Sequence, residues 1–253
     1  MKTNVREDKI ILMSDVHLGN PFCTTKREIG EFLEWVSTTD YALCINGDWL
    51  EIAQTSFTKL AREAPELMSR LSSIFNAGNH LYYVVGNHDI VFEHFIEAWG
   101  GFQVVPFLNV RSSDKRIRVE HGHLYDPFFS NHPAAYEFVT HLAGYFLHAW
   151  PRLYYQWIRF EKLKSRFRRP EDGEGIEGED KAFSAAADEI LRRGFDVVCF
   201  GHTHHAGVVN LGEGRLYVNT GTWLFNPTFV VIENGEVSLQ EWRNGEPVSV
   251  FGH

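Results

Sequence analysis

Short apolar runs punctuate this chain, and one after another they end in a small polar cluster rich in Gly, Asp, Asn and His. Ile10 to Met13 predicts a buried strand that runs into Asp15-Val16-His17. Open α/β sheets bind ligands at that end of a strand. Lys26 to Ser37 places Ile29, Phe32, Leu33 and Val36 on one face, the spacing of an amphipathic helix. Tyr41 to Ile45 predicts a second strand, ending in Asn46-Gly47-Asp48. Phe57 to Phe75 reads as helical, with Pro65 expected to divide or bend it. Leu81 to Val85 runs into Gly86-Asn87-His88-Asp89, and Ile117 to Glu120 into His121-Gly122-His123. Asp188 to Arg193 predicts a helix stopped by Gly194. Asp196 to Phe200 is a further strand, leading to Gly201-His202-Thr203-His204.

The tail has a different rhythm. Gly207 to Asn210, Arg215 to Val218, Thr228 to Glu233 and Glu236 to Trp242 predict strands, and Gly212-Glu213-Gly214 and Asn234-Gly235 predict hairpin turns. Strands alternating with helices, followed by hairpins, imply an α/β fold in which mixed β-sheets are sandwiched between helical layers. Residues 132–170 stand apart as an aromatic, helical insertion with Pro151 between two helices, and 171–180 read as an acidic, flexible linker. The domain itself is then 1–131 together with 181–253.

Composition narrows the function classes. At 253 residues the chain can bury a core without disulfides. A formal net charge of −9 argues against nucleic-acid binding through a broadly basic surface. Three cysteines, Cys23, Cys44 and Cys199, with no C-x-x-C spacing, read as reduced thiols, two of them in strand cores. No signal peptide is visible, and no run approaches the roughly 20 apolar residues of a membrane span. The expected location is the cytoplasm, with contact at a membrane surface left open.

The polar clusters carry the chemistry. Asp15 and His17 flank one residue at a strand end, so both can face one cleft. Asp48 offers a carboxylate, Asn87 a neutral carbonyl oxygen, and His121, His202 and His204 imidazole nitrogens. This mixed oxygen and nitrogen set suits Mn, Fe, Zn, Co or Ni better than Ca or Mg, and no cysteine joins it. The set exceeds one ordinary site and suffices for two ions if a carboxylate bridges. Two cations roughly 3.5–4 Å apart clamp an in-line displacement at phosphorus and acidify a bridging water into an attacking hydroxide.

The series Asp15-x-His17, Gly47-Asp48, Gly86-Asn87-His88-Asp89, His121 and Gly201-His202-x-His204 resembles the calcineurin-like metallophosphoesterase family, with all five blocks in its order. Asn219-Thr220-Gly221-Thr222 resembles the family's Asn-x-Gly-Ser/Thr segment. The resemblance covers about residues 10 to 232 and implies a four-layer αββα sandwich of two mixed sheets with an inserted helical cap. It also implies site roles. Asp15, His17 and His204 would bind one metal, and Asn87, His121 and His202 the other, with Asp48 bridging. His88 would protonate the leaving oxygen or stabilise the transition state, oriented by a hydrogen bond that its ring donates to Asp89.

Within the family the chain is most similar to the UDP-2,3-diacylglucosamine pyrophosphatase branch of lipid A synthesis, through Asp15-Val16-His17-Leu18-Gly19, His121-Gly122 and the insertion before the last His block. That branch is usually manganese-dependent and works at the inner membrane face. Two divalent ions per chain are therefore expected, Mn first, with Zn or Fe as alternatives. The expected substrate is a small phosphorylated molecule, such as a nucleotide-linked lipid. The chain departs from the branch at His88, where many members have Arg, and at His123, where many have Asp. Both departures point towards a broader phosphodiesterase or phosphatase. A third reading is a catalytically inactive binding scaffold, which the complete ligand set argues against.

Other residues have plainer readings. His123 either lines the site or holds a turn, Asp126 is a turn residue before Pro127, and Trp49 is a packing residue. His80, His94, His132, His141, His148, His205 and His253 are given no ligand role. Arg152, Arg159, Lys162, Lys164, Arg166, Arg168 and Arg169, opposed by Glu161, are interleaved with Tyr154, Trp157, Phe160 and Phe167. That pattern fits a membrane-surface helix or a seat for a phosphorylated amphiphile, with Arg152 and Arg159 as substrate contacts. Simple packing on the sandwich, or a protein contact, are the other readings.

Overall fold

The computed structural model describes residues 3–20, 23–52, 57–95, 101–132, 139, 156, 175–224 and 226–251. Of the 132–170 insertion it therefore describes only 132, 139 and 156, and Arg152 and Arg159 lie outside the described residues.

In chain order the elements are β1 (Asn4–Arg6), β2 (Lys9–Met13), α1 (Lys26–Ser37), β3 (Ala42–Asn46), α2 (Phe57–Asn76) and β4 (Leu81–Val84). A 3-10 turn (Ile90–Phe95) leads to β5 (Phe102–Val105), β6 (Leu108–Ser112) and β7 (Lys115–Val119), and a second one (His123–Tyr125) to α3 (Pro127–Asn131). Then come α4 (Lys181–Arg192), β8 (Val197–Phe200), β9 (Gly207–Asn210), β10 (Leu216–Asn219), β11 (Thr228–Glu233), β12 (Glu236–Arg243) and β13 (Glu246–Phe251).

The strands form two mixed sheets, one of order β1-β6-β7-β8-β10-β9 and one of order β13-β12-β11-β2-β3-β4-β5. Alternation along each strand builds the layers. Ile10, Leu12, Cys44 and Val84 face inwards, against Ile117, Val119, Val197 and Cys199 of the other sheet. Their neighbours Ile11, Met13, Leu43 and Ile45 face out and pack on Ile29, Phe32 and Leu33 of α1 and Leu67, Leu71 and Ile74 of α2. On the far side Val198, Phe200 and Tyr217 pack on Phe183, Ala187, Ile190 and Leu191 of α4. The result is the four-layer αββα sandwich expected from the sequence. Cys23, Cys44 and Cys199 are buried free thiols.

Three local expectations need correction. Of the two outcomes expected at Pro65, division does not occur: α2 continues from Phe57 to Asn76. Proline removes one N–H from the helical ladder, and burial of Leu67, Leu71 and Ile74 against the sheet offsets that loss. The helix expected at Asp188 starts earlier, at Lys181, because Asp180 caps it by accepting from the Ala182 N–H at 2.8 Å. The supposed linker is packed where it is described: Ile176 lies against the Phe183–Tyr217 cluster. The side chain of Glu179 accepts hydrogen bonds from Thr203 and Tyr217.

No helix among the described residues is long and apolar enough to cross a membrane.

Candidate metal centre

β2, β3 and β4 are parallel neighbours in one sheet, and β7 and β8 in the other. Their C-terminal ends therefore lie along one edge of the sandwich and deliver all five polar clusters to one place. Backbone bonds join the clusters. Asp15 N–H donates to Gly47 O at 3.1 Å, His17 N–H to Asp48 O at 2.9 Å, and Gly201 N–H to His121 O at 3.0 Å. Asn46 crosses between the sheets to donate to Glu120 O at 2.9 Å. Thr222 Oγ1 donates to Asp15 O at 3.0 Å, so the Asn219–Thr222 segment supports the first cluster from behind.

The seven expected ligands converge around Asp48. Asp15, His17 and His204 offer atoms close enough to hold one ion, and Asp48, His121 and His202 another. His204 Nε2 lies 3.1 Å and His17 Nε2 3.7 Å from Asp15 Oδ1. His121 Nε2 is 3.2 Å and His17 Nε2 3.8 Å from Asp48 Oδ2. Asn87 Oδ1 sits 3.2 Å from His121 Nε2 and 3.0 Å from His202 Nδ1.

The outward nitrogens of three rings are tied down. His17 Nδ1 is 3.0 Å from Glu51 Oε2, His121 Nδ1 2.8 Å from Asn46 O, and His202 Nε2 3.0 Å from Asp126 Oδ2. In the neutral ring a nitrogen facing such an acceptor carries the proton, which leaves the opposite nitrogen with a lone pair directed into the cluster. His17 Nε2 and His204 Nε2 face one another at 3.2 Å. The buried Asp15 Oδ1 makes no hydrogen bond among the described residues. Convergent ring nitrogens around a buried carboxylate oxygen that makes no well-directed hydrogen bond fit a divalent cation.

The backbone here is strained in a repeated way. Asp15, His17, Asp48, His202 and His204 have φ of 54°, 49°, 53°, 64° and 63°. For non-glycine residues this left-handed region is sparsely used and costs of order 1–3 kcal/mol each. Gly86 shows how little room is left: a Cβ there would stand 2.1 Å from Asp48 Oδ1 and 2.6 Å from Asp48 N. Gly86→Ala is expected to displace Asp48 and lower kcat/KM by ~10²-fold or more, the usual cost of a misplacement near 1 Å. Steady-state kinetics against a thermal melt check this, and an unchanged rate contradicts the geometry.

Burial favours the neutral form of Asp48, but His121 and His88 outweigh it and hold the carboxyl well below the usual range. For His17, burial works against the charged ring, while Asp15 and Glu51 prevail and raise its pKa well above the usual value. Burial likewise opposes charge on His121, yet Asp48 and Asp15 raise it to about 9. Without a cation these carboxylates draw protons onto the rings, and a divalent ion competes for the same lone pairs.

The sequence profile of the calcineurin-like phosphoesterase family matches residues 8–206. This chain belongs to the calcineurin-like phosphoesterase family. No curated relative matches at significant similarity. Among solved structures, a dimetal phosphatase from Danio rerio is 10% identical, with a TM-score of 0.52, over 97% of this chain and 99% of that one. That likeness shows a shared fold. Vacuolar protein sorting 29 from Cryptosporidium parvum is 16% identical, with a TM-score of 0.48, over 98% and 99% of the two chains. Vps29 from Entamoeba histolytica, solved with Zn²⁺, is 13% identical, with a TM-score of 0.45, over 96% and 99%.

In this phosphoesterase the orienting role expected of Asp89 is corrected. Asp89 points beneath its own turn, where Oδ1 accepts from Gly86 N–H at 2.9 Å and Oδ2 from Trp49 N–H at 2.9 Å and from the Tyr83 hydroxyl. Burial, then Asp48, push its carboxyl up to about 6. The carboxylate beside His88 is Glu51, with Oε1 2.6 Å from His88 Nδ1. Its other oxygen holds His17, so one buried side chain serves both rings. Sequence reading passed over Glu51 because it belongs to no His-containing block. The available signal was its place three positions after Asp48, on the turn that leaves the site.

Asp126 is a turn residue, as expected, and caps α3 by accepting from Phe128 N–H at 2.8 Å. Its second oxygen also holds His202, which the sequence did not suggest. His123 is buried beside His121 and His202, with ring centroids 5.5 Å and 6.4 Å away, and its Nδ1 has no partner among the described residues. Burial, then His121 and His202, push its pKa down to about 3, so it stands neutral. Trp49 is buried in the core on the helical side.

Proposed function

We propose that this chain is a two-metal phosphoester and pyrophosphate hydrolase whose ligands are Asp15, His17 and His204 for one ion, Asn87, His121 and His202 for the other, and Asp48 for both. The observation that carries the reading is the orientation of the rings around Asp48. Each of three histidines has its outer nitrogen held by a protein acceptor and its inner one aimed at a carboxylate or amide oxygen. When bound, two divalent ions at such a site neutralise charge on phosphoryl oxygens and acidify a water. The protein's own contribution beyond them is His88. Burial opposes its charge, but Asp48 and Glu51 raise its pKa, which suits a proton donor. With Nδ1 held by Glu51, Nε2 is left to meet the leaving oxygen.

For the substrate, we infer a phosphorylated amphiphile, with UDP-2,3-diacylglucosamine as the compound to test first. Supporting this are the resemblance to that branch and the basic, aromatic insertion at 132–170, which under this reading contacts the inner membrane face from the cytoplasm. His88 favours a second reading, a water-soluble phosphodiester, because the lipid branch commonly has Arg there. Mn²⁺ is the first ion to test, followed by Zn²⁺ and Fe²⁺.

Chelator-stripped protein supplied with Mn²⁺ is expected to hydrolyse a chromogenic phosphodiester. Comparing kcat/KM for that compound and the nucleotide-linked lipid separates the two substrates. Folded protein without turnover under any divalent ion contradicts the hydrolase reading and leaves a binding scaffold.

A further inference from the structure

We propose that Glu179 is a positioning residue that sets the geometry of His202 and His204, and through them the affinity of the site for divalent cations. The proposal rests on the metal-centre reading above. Glu179 precedes the cap of α4 and lies behind the last His cluster. Oε1 accepts from the Thr203 hydroxyl at 2.7 Å and from Asn219 Nδ2 at 3.0 Å, and Oε2 from the Tyr217 hydroxyl at 2.7 Å. Thr203 is the residue between the two histidines. Asn219 Nδ2 also lies 2.8 Å from Gly201 O and 3.0 Å from Thr203 Oγ1. The turn from 201 to 204 is thus gripped through Gly201 O and the Thr203 hydroxyl.

Such a grip has a physical purpose. His202 and His204 are both held at positive φ, a conformation that persists only when the surroundings over-determine it. The grip also has a cost. Enclosure pushes the Glu179 carboxyl up to about 7, and its three donors offset that only in part. An apolar side chain would fill the space without this penalty, but could not hold the Thr203 hydroxyl. The anchor itself is firm. Asp180 caps α4, Ile176 packs into the cluster beneath that helix, and a Cβ on Gly175 would stand 2.7 Å from Ser184 Oγ. Residues 175–180 lead directly into α4, so the approach to that helix is fastened to the ligand turn.

The test is calorimetric titration of chelator-stripped protein with MnCl₂, with thermal melts of the metal-free proteins as the folding control. Glu179→Ala and Thr203→Val are expected to weaken Mn²⁺ binding by ~10–100-fold, the usual effect of losing a ligand's support. Glu179→Gln keeps an acceptor for Thr203 and is expected to recover most of the affinity. Tyr217→Phe removes a donor to Glu179 but no link to the turn, and is expected to bind like the wild type. Wild-type affinity in folded Glu179→Ala overturns the proposal, as does a Tyr217→Phe loss as large as that of Thr203→Val. Should Glu179→Ala not fold, Thr203→Val decides. Wild-type protein that binds no Mn²⁺ overturns the metal-centre reading, and this proposal with it.

Discussion

Asp48→Asn is expected to lower kcat by at least ~10³-fold, to reduce bound metal below two ions per chain, and to leave the metal-free protein folded. Asparagine keeps the shape and an oxygen for the His88 N–H, which Asp48 Oδ1 accepts at 2.9 Å. What it loses is the charge shared by the two ligand groups, since Asp48 Oδ2 lies 3.2 Å from His121 Nε2 and 3.8 Å from His17 Nε2. Charge stabilisation by metal ions is worth several kcal/mol. With each 1.36 kcal/mol a factor of ten, loss of about 4 kcal/mol gives the expected fall. Metal analysis of the purified variant, with steady-state kinetics, checks both parts. A folded Asp48→Asn protein with two ions and full rate contradicts the bridging assignment.

His88→Ala is expected to retain both ions and lose ~10²–10⁴-fold in kcat, the range for a positioned proton donor. Glu51→Gln is expected to differ in kind. Glu51 holds His88 at 2.6 Å and His17 at 3.0 Å, so its loss should lower kcat and also weaken metal binding by ~10–100-fold. The two variants together separate the donor from its support. Metal loss in His88→Ala would make His88 a ligand, a role its proximity to His17 and Asp48 leaves physically open. Unchanged kcat in that variant would remove it from the chemistry.

The four layers were legible because strand alternation and helix periodicity write burial directly into the sequence. Ile10 and Leu12 go one way and Ile11 and Met13 the other. Four strands carry no such signal. β1, β5 and β13 are edge strands, β13 is mostly exposed, and in β6 Asn109 and Arg111 interrupt the apolar positions. The ligand residues stood out because rare residue types sit next to glycines at strand ends. Their supports did not. Glu51, Asp126 and Glu179 are ordinary acidic residues whose partners lie 37, 76 and 24 positions away, and only the fold brings each carboxylate to its ring or hydroxyl. Asp89 misled for the same reason. Adjacency to His88 suggests a contact, whereas the turn sends its side chain inwards to Gly86 and Trp49.

The most direct test of the two-metal account is the number of Mn²⁺ ions bound by chelator-stripped wild-type protein, with phosphodiester hydrolysis followed along the same titration. Two ions per chain, with the rate rising as the second site fills, is the expected result. Full hydrolysis with one ion bound, or with excess chelator present, would contradict it.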